Sequence, residues 1–483
     1  MTMLETTQYW LTRFWFQRAM GLIYLIGFLI AVNQYLPLLG NDGLQPVQLY
    51  LRRVSFWKAP SLLWINCSDR FILVISWFGV LLSILALSGL SDSFGMVVSV
   101  VCWSLLWLFY LSLVNVGQTF YGFGWEMILL ESGFLTIFLG SSNVRVPMFV
   151  LWLLKWVLFR IMFGAGMIKL RADPCWRDLT CMFYHYETQP LPNPLSWYFH
   201  HQPKWMHKAA VLFNHFVELP IPWLYFAPSP LREIAGGFTI LFQIILIFSG
   251  NLSWLNYITI ALCIPCFDDR FFSHLSPHIS LLKAPLDLPP LSMLHVAFVF
   301  ALTLVVLLLS IRPARNLFSR RQLMNASFDP LHLVNTYGAF GSVTRERMEI
   351  VIEGTDAIFP DASASWREYE FKAKPGAINR RPPLVSPYHF KIDWQMWFAA
   401  MSSAMMHPWI FPFVEKLLAG DAKTLGLLGR NPFPDAPPKF IRARLYRYRF
   451  TARDDPSGNF WQRTFVREYL PPLSLDDFRS GKI

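Results

Sequence analysis

Long apolar runs broken by short polar stretches fill the first two-thirds of the chain. Crossing the hydrocarbon core of a bilayer takes about 20 mostly apolar residues. Residues 19–36, 71–90, 96–116, 147–170 and 293–311 meet that requirement and predict spanning helices. Shorter apolar segments at 126–140, 209–226, 234–250 and 252–266 have the length of buried or kinked helices, giving about six to nine helices in all. The run from Ala19 is too long for a signal-peptide core and has no small-residue cleavage site, so it reads as a retained first span.

From Phe328 onward the pattern changes, with shorter apolar runs, mixed charges, and frequent Pro and Gly. Met348, Ile350 and Ile352 alternate with Glu349, Val351 and Glu353, the period of a half-buried strand. Residues 366–372 form a second strand candidate. Ile441, Ala443 and Leu445 alternate with Arg442 and Arg444, after which arginines recur at Arg447 and Arg449, a phase slip that predicts a bulge. Residues 393–401 and 412–419 read as helices. The expected organisation is a polytopic α-helical membrane bundle over 1–312, a basic juxtamembrane linker at 313–327, and a C-terminal α+β domain with an antiparallel sheet over 328–483.

Composition strengthens the membrane reading. Hydrophobic residues make up 54% and charged residues 15% of the 483, whereas soluble domains carry about 25% charged residues. Twenty Trp suit the bilayer interface, where the ring is apolar and the N–H finds a polar partner. The net charge of +11 is scattered over loops and helix ends, which points to anionic lipid heads and membrane topology rather than to nucleic acid. Arg13 and Arg18 precede the first span, and Arg312, Arg315, Arg320 and Arg321 follow the last. The positive-inside rule alone places both ends on the cytosolic side. Six cysteines are too few for a disulfide scaffold in a chain this long.

Ionisable groups inside apolar segments are the first candidates for chemistry. Glu126 and Glu131 share one short segment, while Lys155, Arg160 and Lys169 share another. At about 100° per residue, Lys155 and Lys169 fall within about 40° of each other on one helix face. Two readings stand for this network. Glu–Arg or Glu–Lys pairs between neighbouring helices would be structural, with Lys169 reaching for the interface; alternatively a buried lysine acts as a base. Cys263 and Cys266 have redox CxxC spacing but end an apolar segment instead of opening a helix after a strand, so they read as packing residues. Five histidines between His185 and His215 lack metal-ligand spacing, so no metal is expected. Nucleophile-elbow, P-loop and dinucleotide motifs are absent from the sequence, and no cofactor is expected. Asn66, Asn251 and Asn325 begin glycosylation sequons.

Several words of the sequence resemble the lipase maturation factor family. They include Tyr9-Trp10-Leu11-Thr12-Arg13-Phe14, Gly122-Phe123-Gly124-Trp125-Glu126, Phe163-Gly164-Ala165-Gly166-Met167-Ile168-Lys169 and Asp173-Pro174-Cys175-Trp176. Gly250-Asn251-Leu252-Ser253-Trp254, Asn335-Thr336-Tyr337-Gly338, Ser386-Pro387-Tyr388-His389 and Asp393-Trp394 follow in order, so the resemblance covers the whole chain. It implies a membrane protein that assists folding and assembly of secreted lipases. The location implied is the endoplasmic reticulum membrane in a eukaryote, or the inner membrane in a bacterium. The resemblance also implies a C-terminal domain on the side opposite the cytosol that contacts the client, with Tyr337, Phe340, Trp394 and Trp397 as its surface or as the domain's own core. The stretch around Lys169, with Trp176 after it, is more distantly similar to the catalytic-lysine segment of vitamin K-dependent γ-carboxylases. That second resemblance implies, as an alternative, a membrane enzyme with Lys169 as base and Glu126 facing it. The histidine those enzymes carry is missing from Gly124-Trp125-Glu126.

Overall fold

The computed structural model describes residues 5–275, 285, 287–361 and 363–480. Among the described residues, six helical segments are long and apolar enough to cross a membrane. They begin with α1 (Trp10–Leu39), α2 (Asp69–Ser88) and α3 (Met96–Val114). The short segment α4 (Gly124–Ile137) leads to the long α5 (Met148–Arg171). After α6 (Lys204–Glu218) come α7 (Leu231–Ser249), the short α8 (Leu255–Cys263), and α9 (Met293–Leu309), which continues almost directly into α10 (Ile311–Phe318). The 234–250 segment, read as short from sequence, is thus a full-length helix; α4 and α8 are short and largely buried, while α6 buries only one face.

Local chemistry sets several of these ends. Ser68 Oγ accepts the Phe71 N–H at 3.3 Å and caps α2, and Ser292 Oγ accepts the His295 N–H at 3.2 Å and caps α9. α2 stops at Gly89, whose φ of +86° only glycine adopts freely, and a Cβ there would also meet Arg18 Nη1 at 2.7 Å. The bundle's outer faces expose apolar side chains, among them Trp77 and Val97, more than a water-soluble surface carries, as lipid contact requires.

The crossing directions follow from the ends. Glu5–Thr6 pairs with Val146–Pro147 just before α5, and the Leu291 N–H donates to Glu5 Oε2 at 2.7 Å just before α9. Both helices therefore start at the face that holds the N-terminal residues. Their far ends meet the C-terminal third, where Arg171 Nη1 donates to the Leu317 carbonyl at 2.6 Å and Asp173 pairs with Arg345 at 2.8 Å. The N-terminal residues and the C-terminal third lie on opposite faces, which corrects the charge-rule expectation that both ends share one side. The rule counts exposed loop charges. Arg13 is only 1% exposed and Arg18 is ion-paired with Asp92, so neither is a free loop charge.

The expected linker region holds structure of its own, since α10 is followed by the short strand Ala326–Ser327 paired to Asn335–Thr336. Beyond it lies an antiparallel four-stranded sheet of β1 (Arg347–Thr355), β2 (Arg367–Glu368), β3 (Phe440–Phe450) and β4 (Trp461–Ser474), in the order β2-β1-β3-β4. The slip read between Ile441 and Arg449 is present, as the β3–β4 register shifts between Ile441 and Ala443, between Ala443 and Arg444, and again between Leu445 and Tyr446. β4 is an edge strand, the position that tolerates its Pro471 and Pro472. Helix α11 (Lys391–Ala400) and the helix Ile410–Leu418 match the two helical expectations closely.

One strand differs from its expected environment. β1 is covered on both faces rather than one. Glu349 is fully buried because Arg347 binds it at 2.8 Å and Lys374 at 2.9 Å. Arg347 also donates to the carbonyls of Glu187, Gln189 and Pro190, so the loop ahead of α6 lids this face. The hydrophobic core runs without a break from α1 through α11 into the sheet. The boundary between bundle and C-terminal domain is therefore a packed seam.

Candidate functional site

Besides the Arg347–Glu349–Lys374 cluster on the sheet and the Arg18–Asp92 pair on the far face, three networks of buried charges lie at or beside this seam. In the first, Arg160 of α5 pairs with Glu131 of α4. Glu131 Oε2 also accepts the Asn335 N–H at 3.0 Å, the Asn335 side-chain amide at 3.0 Å and the Tyr337 hydroxyl at 2.7 Å. Arg160 Nη1 donates in turn to the Asn335 carbonyl at 2.5 Å. One ion pair between two bundle helices therefore holds the strand that opens the C-terminal third.

The second network centres on Glu126, at the first turn of α4. Lys391 Nζ, from the start of α11, donates to Glu126 Oε1 at 2.9 Å and to the Phe120 carbonyl at 3.1 Å. The Tyr110 hydroxyl donates to the other carboxylate oxygen, and His389 Nδ1 lies 3.9 Å away. Burial, with the Lys391 charge adding to it, pushes the His389 pKa down to about 3, so the ring is neutral.

In the third network Lys169 Nζ donates to Glu218 Oε1 at 2.6 Å and to Asn214 Oδ1 at 2.9 Å, while the Asn214 amide donates to Glu218 Oε2 at 2.7 Å. The three side chains close a ring of hydrogen bonds, with the Trp176 ring 4.9 Å from the ammonium. Lys155 stands apart, over the Trp152 ring at 5.6 Å.

Glu126 and Lys169, set face to face by the carboxylase likeness, are thus in different networks with different partners. Lys169 lines a cavity of about 480 Å³ between α5, α7, α8, α11 and residues 337–344, whereas Glu126 does not line it. Tyr337, Phe340, Trp394 and Trp397 all line this cavity. Tyr337 and Trp394 are buried, which removes them from any outward client surface; Phe340 and Trp397 are partly buried. The reason is the seam itself, since the segment 337–340 is drawn down onto Glu131 and α11 onto Glu126.

Sequence reasoning named Glu131, Arg160 and Tyr337 of the first network, but only Glu126 of the second and Lys169 of the third. Glu218 lies inside an apolar segment, so the rule that marked Lys169 applies to it equally. Lys391 and His389 sit in the polar third, where a charge carries no such signal. The histidines disperse onto backbone carbonyls, His201 to Trp197 at 2.7 Å, His207 to Phe199 and His215 to Trp176, both at 3.0 Å. Cys263 and Cys266 are buried free thiols, the former against the Thr259 carbonyl. A disulfide joins Cys175 to Cys181 instead, on the face that carries the C-terminal third. Of the sequons, Asn251 is buried and its amide donates to the Pro192 and Pro383 carbonyls, while Asn66 is exposed.

The family described as lipase maturation factor transmembrane domain matches residues 11–274, and lipase maturation factor C-terminal domain matches residues 333–471. Lipase maturation factor 1 of Mus musculus is 43% identical, over 99% of this chain and 89% of that protein. The Homo sapiens protein of the same name is 41% identical over 99% and 90%. Lipase maturation factor 2 of Xenopus laevis is 31% identical over 94% and 81%. No solved structure matches the chain. With both halves matched in order, and with a helical bundle and antiparallel sheet where the two family domains fall, the chain is an integral membrane protein that belongs to the lipase maturation factor family.

Proposed function

We propose that this maturation factor is a non-enzymatic chaperone that assists assembly of secreted lipases, working from the endoplasmic reticulum membrane with its C-terminal domain in the lumen. The carrying observation is that the buried residues nominated for chemistry, Glu126 and Lys169, already have close partners. A general base needs a free lone pair within reach of substrate. Lys169 and Glu126 each face an opposite charge within 3 Å. The disulfide supports the lumenal placement, because such bonds persist in oxidising compartments. With Tyr337 and Trp394 buried, the client contact falls instead to exposed apolar side chains of the C-terminal domain, Ile358, Phe359, Met405 and Met406. Methionines suit a surface that must adapt to an incompletely folded partner.

The test is secretion of an active dimeric lipase from cells lacking their own factor and expressing this chain. The double variant Lys169→Met/Glu218→Leu, which removes the ion pair without stranding either charge, should retain secretion. Replacing Phe359, Met405 and Met406 by serine should abolish it at unchanged protein level. Loss of secretion in a fully accumulated double variant would favour the competing reading, a carboxylase-like enzyme in which Lys169 acts as base.

A further inference from the structure

The cavity beneath the seam carries polar groups that the protein leaves unused. Asn256, on α8, is 1% exposed and lines the cavity, yet neither its amide nitrogen nor its oxygen has a hydrogen-bond partner among the described residues. Trp125 Nε1, also on the cavity wall and buried, has none either. A buried polar group left unpaired costs about 1–3 kcal/mol, and two such residues on the wall of one cavity mark a place where something else supplies the partners. The charged wall is already neutral, since Lys169 and Glu218 compensate each other at 2.6 Å. His185, on the same wall, is neutral as well, its pKa pushed down to about 4 by burial and by Lys169. Most of the remaining wall is apolar and includes Ile161, Met162, Phe242 and Leu246 from the bundle helices, interspersed with polar side chains such as Gln243 and Thr259. A volume of about 480 Å³ lies within the range of about 300–1,000 Å³ that small-molecule sites occupy.

We propose that this cavity binds one molecule of an uncharged lipid taken from the surrounding bilayer, with its head on Asn256 and Trp125 and its chain along the bundle wall. The asparagine amide offers a donor and an acceptor, and the indole offers a second donor. A head with carbonyl and hydroxyl groups together, such as that of an acylglycerol, complements all three. A phosphate head does not fit, because it would bury a charge where Lys169, the cation among the described lining residues, is already paired. The site is independent of the client surface and of any chemistry at Lys169.

The full-length protein in phosphatidylcholine vesicles, with a diazirine-tagged monoacylglycerol added, tests this by photolabelling and peptide mapping. Adducts should map to α7, α8 or residues 337–344. Asn256→Leu should cut that labelling about fivefold or more, as loss of the head-group bonds implies, without lowering Tm. Ala339→Phe fills the cavity from a loop and should do the same, so it carries the test if the first variant fails to accumulate. Labelling confined to outward helix faces overturns the proposal. So does labelling unchanged in both variants, equal labelling by a tagged phosphatidic acid, or a peptide found in the cavity.

Discussion

Replacing Lys391 by methionine keeps most of the side-chain volume and removes the charge that holds the C-terminal domain to α4. Neither Lys391 nor Glu126 has any exposed side-chain surface. The carboxylate left behind would keep the Tyr110 hydroxyl and a neutral His389 at 3.9 Å, and no cation. Stranding one member of a buried pair costs about 3–5 kcal/mol, whereas removing both is close to neutral. The expected pattern is therefore non-additive. Lys391→Met and Glu126→Gln should each lower the Tm of the detergent-solubilised protein and expose the chain near 388–391 to protease, while the double variant should recover most of both. The double variant should therefore cost several kcal/mol less than the sum of the two single variants. Additive single effects, with the double variant as damaged as their sum, would falsify the claim that this pair fastens the seam.

Other consequences are checked by similar means. Arg347→Lys should destabilise nearly as much as Arg347→Met, because an ammonium cannot reproduce the fork that reaches Glu349 and three carbonyls of the 187–190 loop at once; equal melting of Arg347→Lys and wild type argues against it. Gly164→Ala places a Cβ 2.5 Å from the Tyr337 carbonyl, a backbone atom at the seam, and should cost about 1–3 kcal/mol in thermal or denaturant unfolding. His185 and His389 have folded pKa values of about 4 and about 3, below the ordinary 6.5. The unfolded chain therefore takes up protons that the folded chain refuses as pH falls below 6.5. Between pH 6.5 and 5 each histidine should remove up to about 2 kcal/mol of stability, and His185→Gln should flatten the profile. Expressed in a eukaryotic cell, the exposed Asn66 should carry a glycan that Asn66→Gln removes, seen as a gel shift; an unmodified Asn66 puts the C-terminal face on the cytosolic side.

The bundle was legible because lipid imposes length and composition on each segment, and every long apolar run became a helix. What lipid does not dictate was harder to read. The edge strand Trp461–Ser474 went unread because it carries charges and two prolines, as an edge facing water permits and a central strand does not. β1 looked half-buried because Glu349 looks like a solvent residue until Arg347 and Lys374 are seen closing over it. At the site, Glu131 and Arg160 could be paired from sequence, since each is costly alone and adjacent helices offer the other. Glu126 could not be matched with Lys391, which lies 265 residues away in a segment where lysine is unremarkable.

That asymmetry bears on how the two halves work together. A domain joined to a bundle only by a linker would move freely and need no buried polar contacts with it. Here buried polar contacts cross the seam alongside the shared apolar core: Glu126 with Lys391, Glu131 with Asn335 and Tyr337, Gln34 with the His389 carbonyl and the Lys391 N–H, and Asn251 with the backbone at Val385 and Ser386. Such groups are poor sources of net stability but demand one geometry, because any displacement leaves them unpaired. The seam therefore fixes the orientation of the C-terminal sheet relative to the bundle and, under the proposed client reading, the direction in which Phe359, Met405 and Met406 point. A variant that loosens the seam without unfolding either half should impair client maturation more than its change in melting temperature accounts for. That disproportion separates an orienting role for the buried charges from a merely cohesive one.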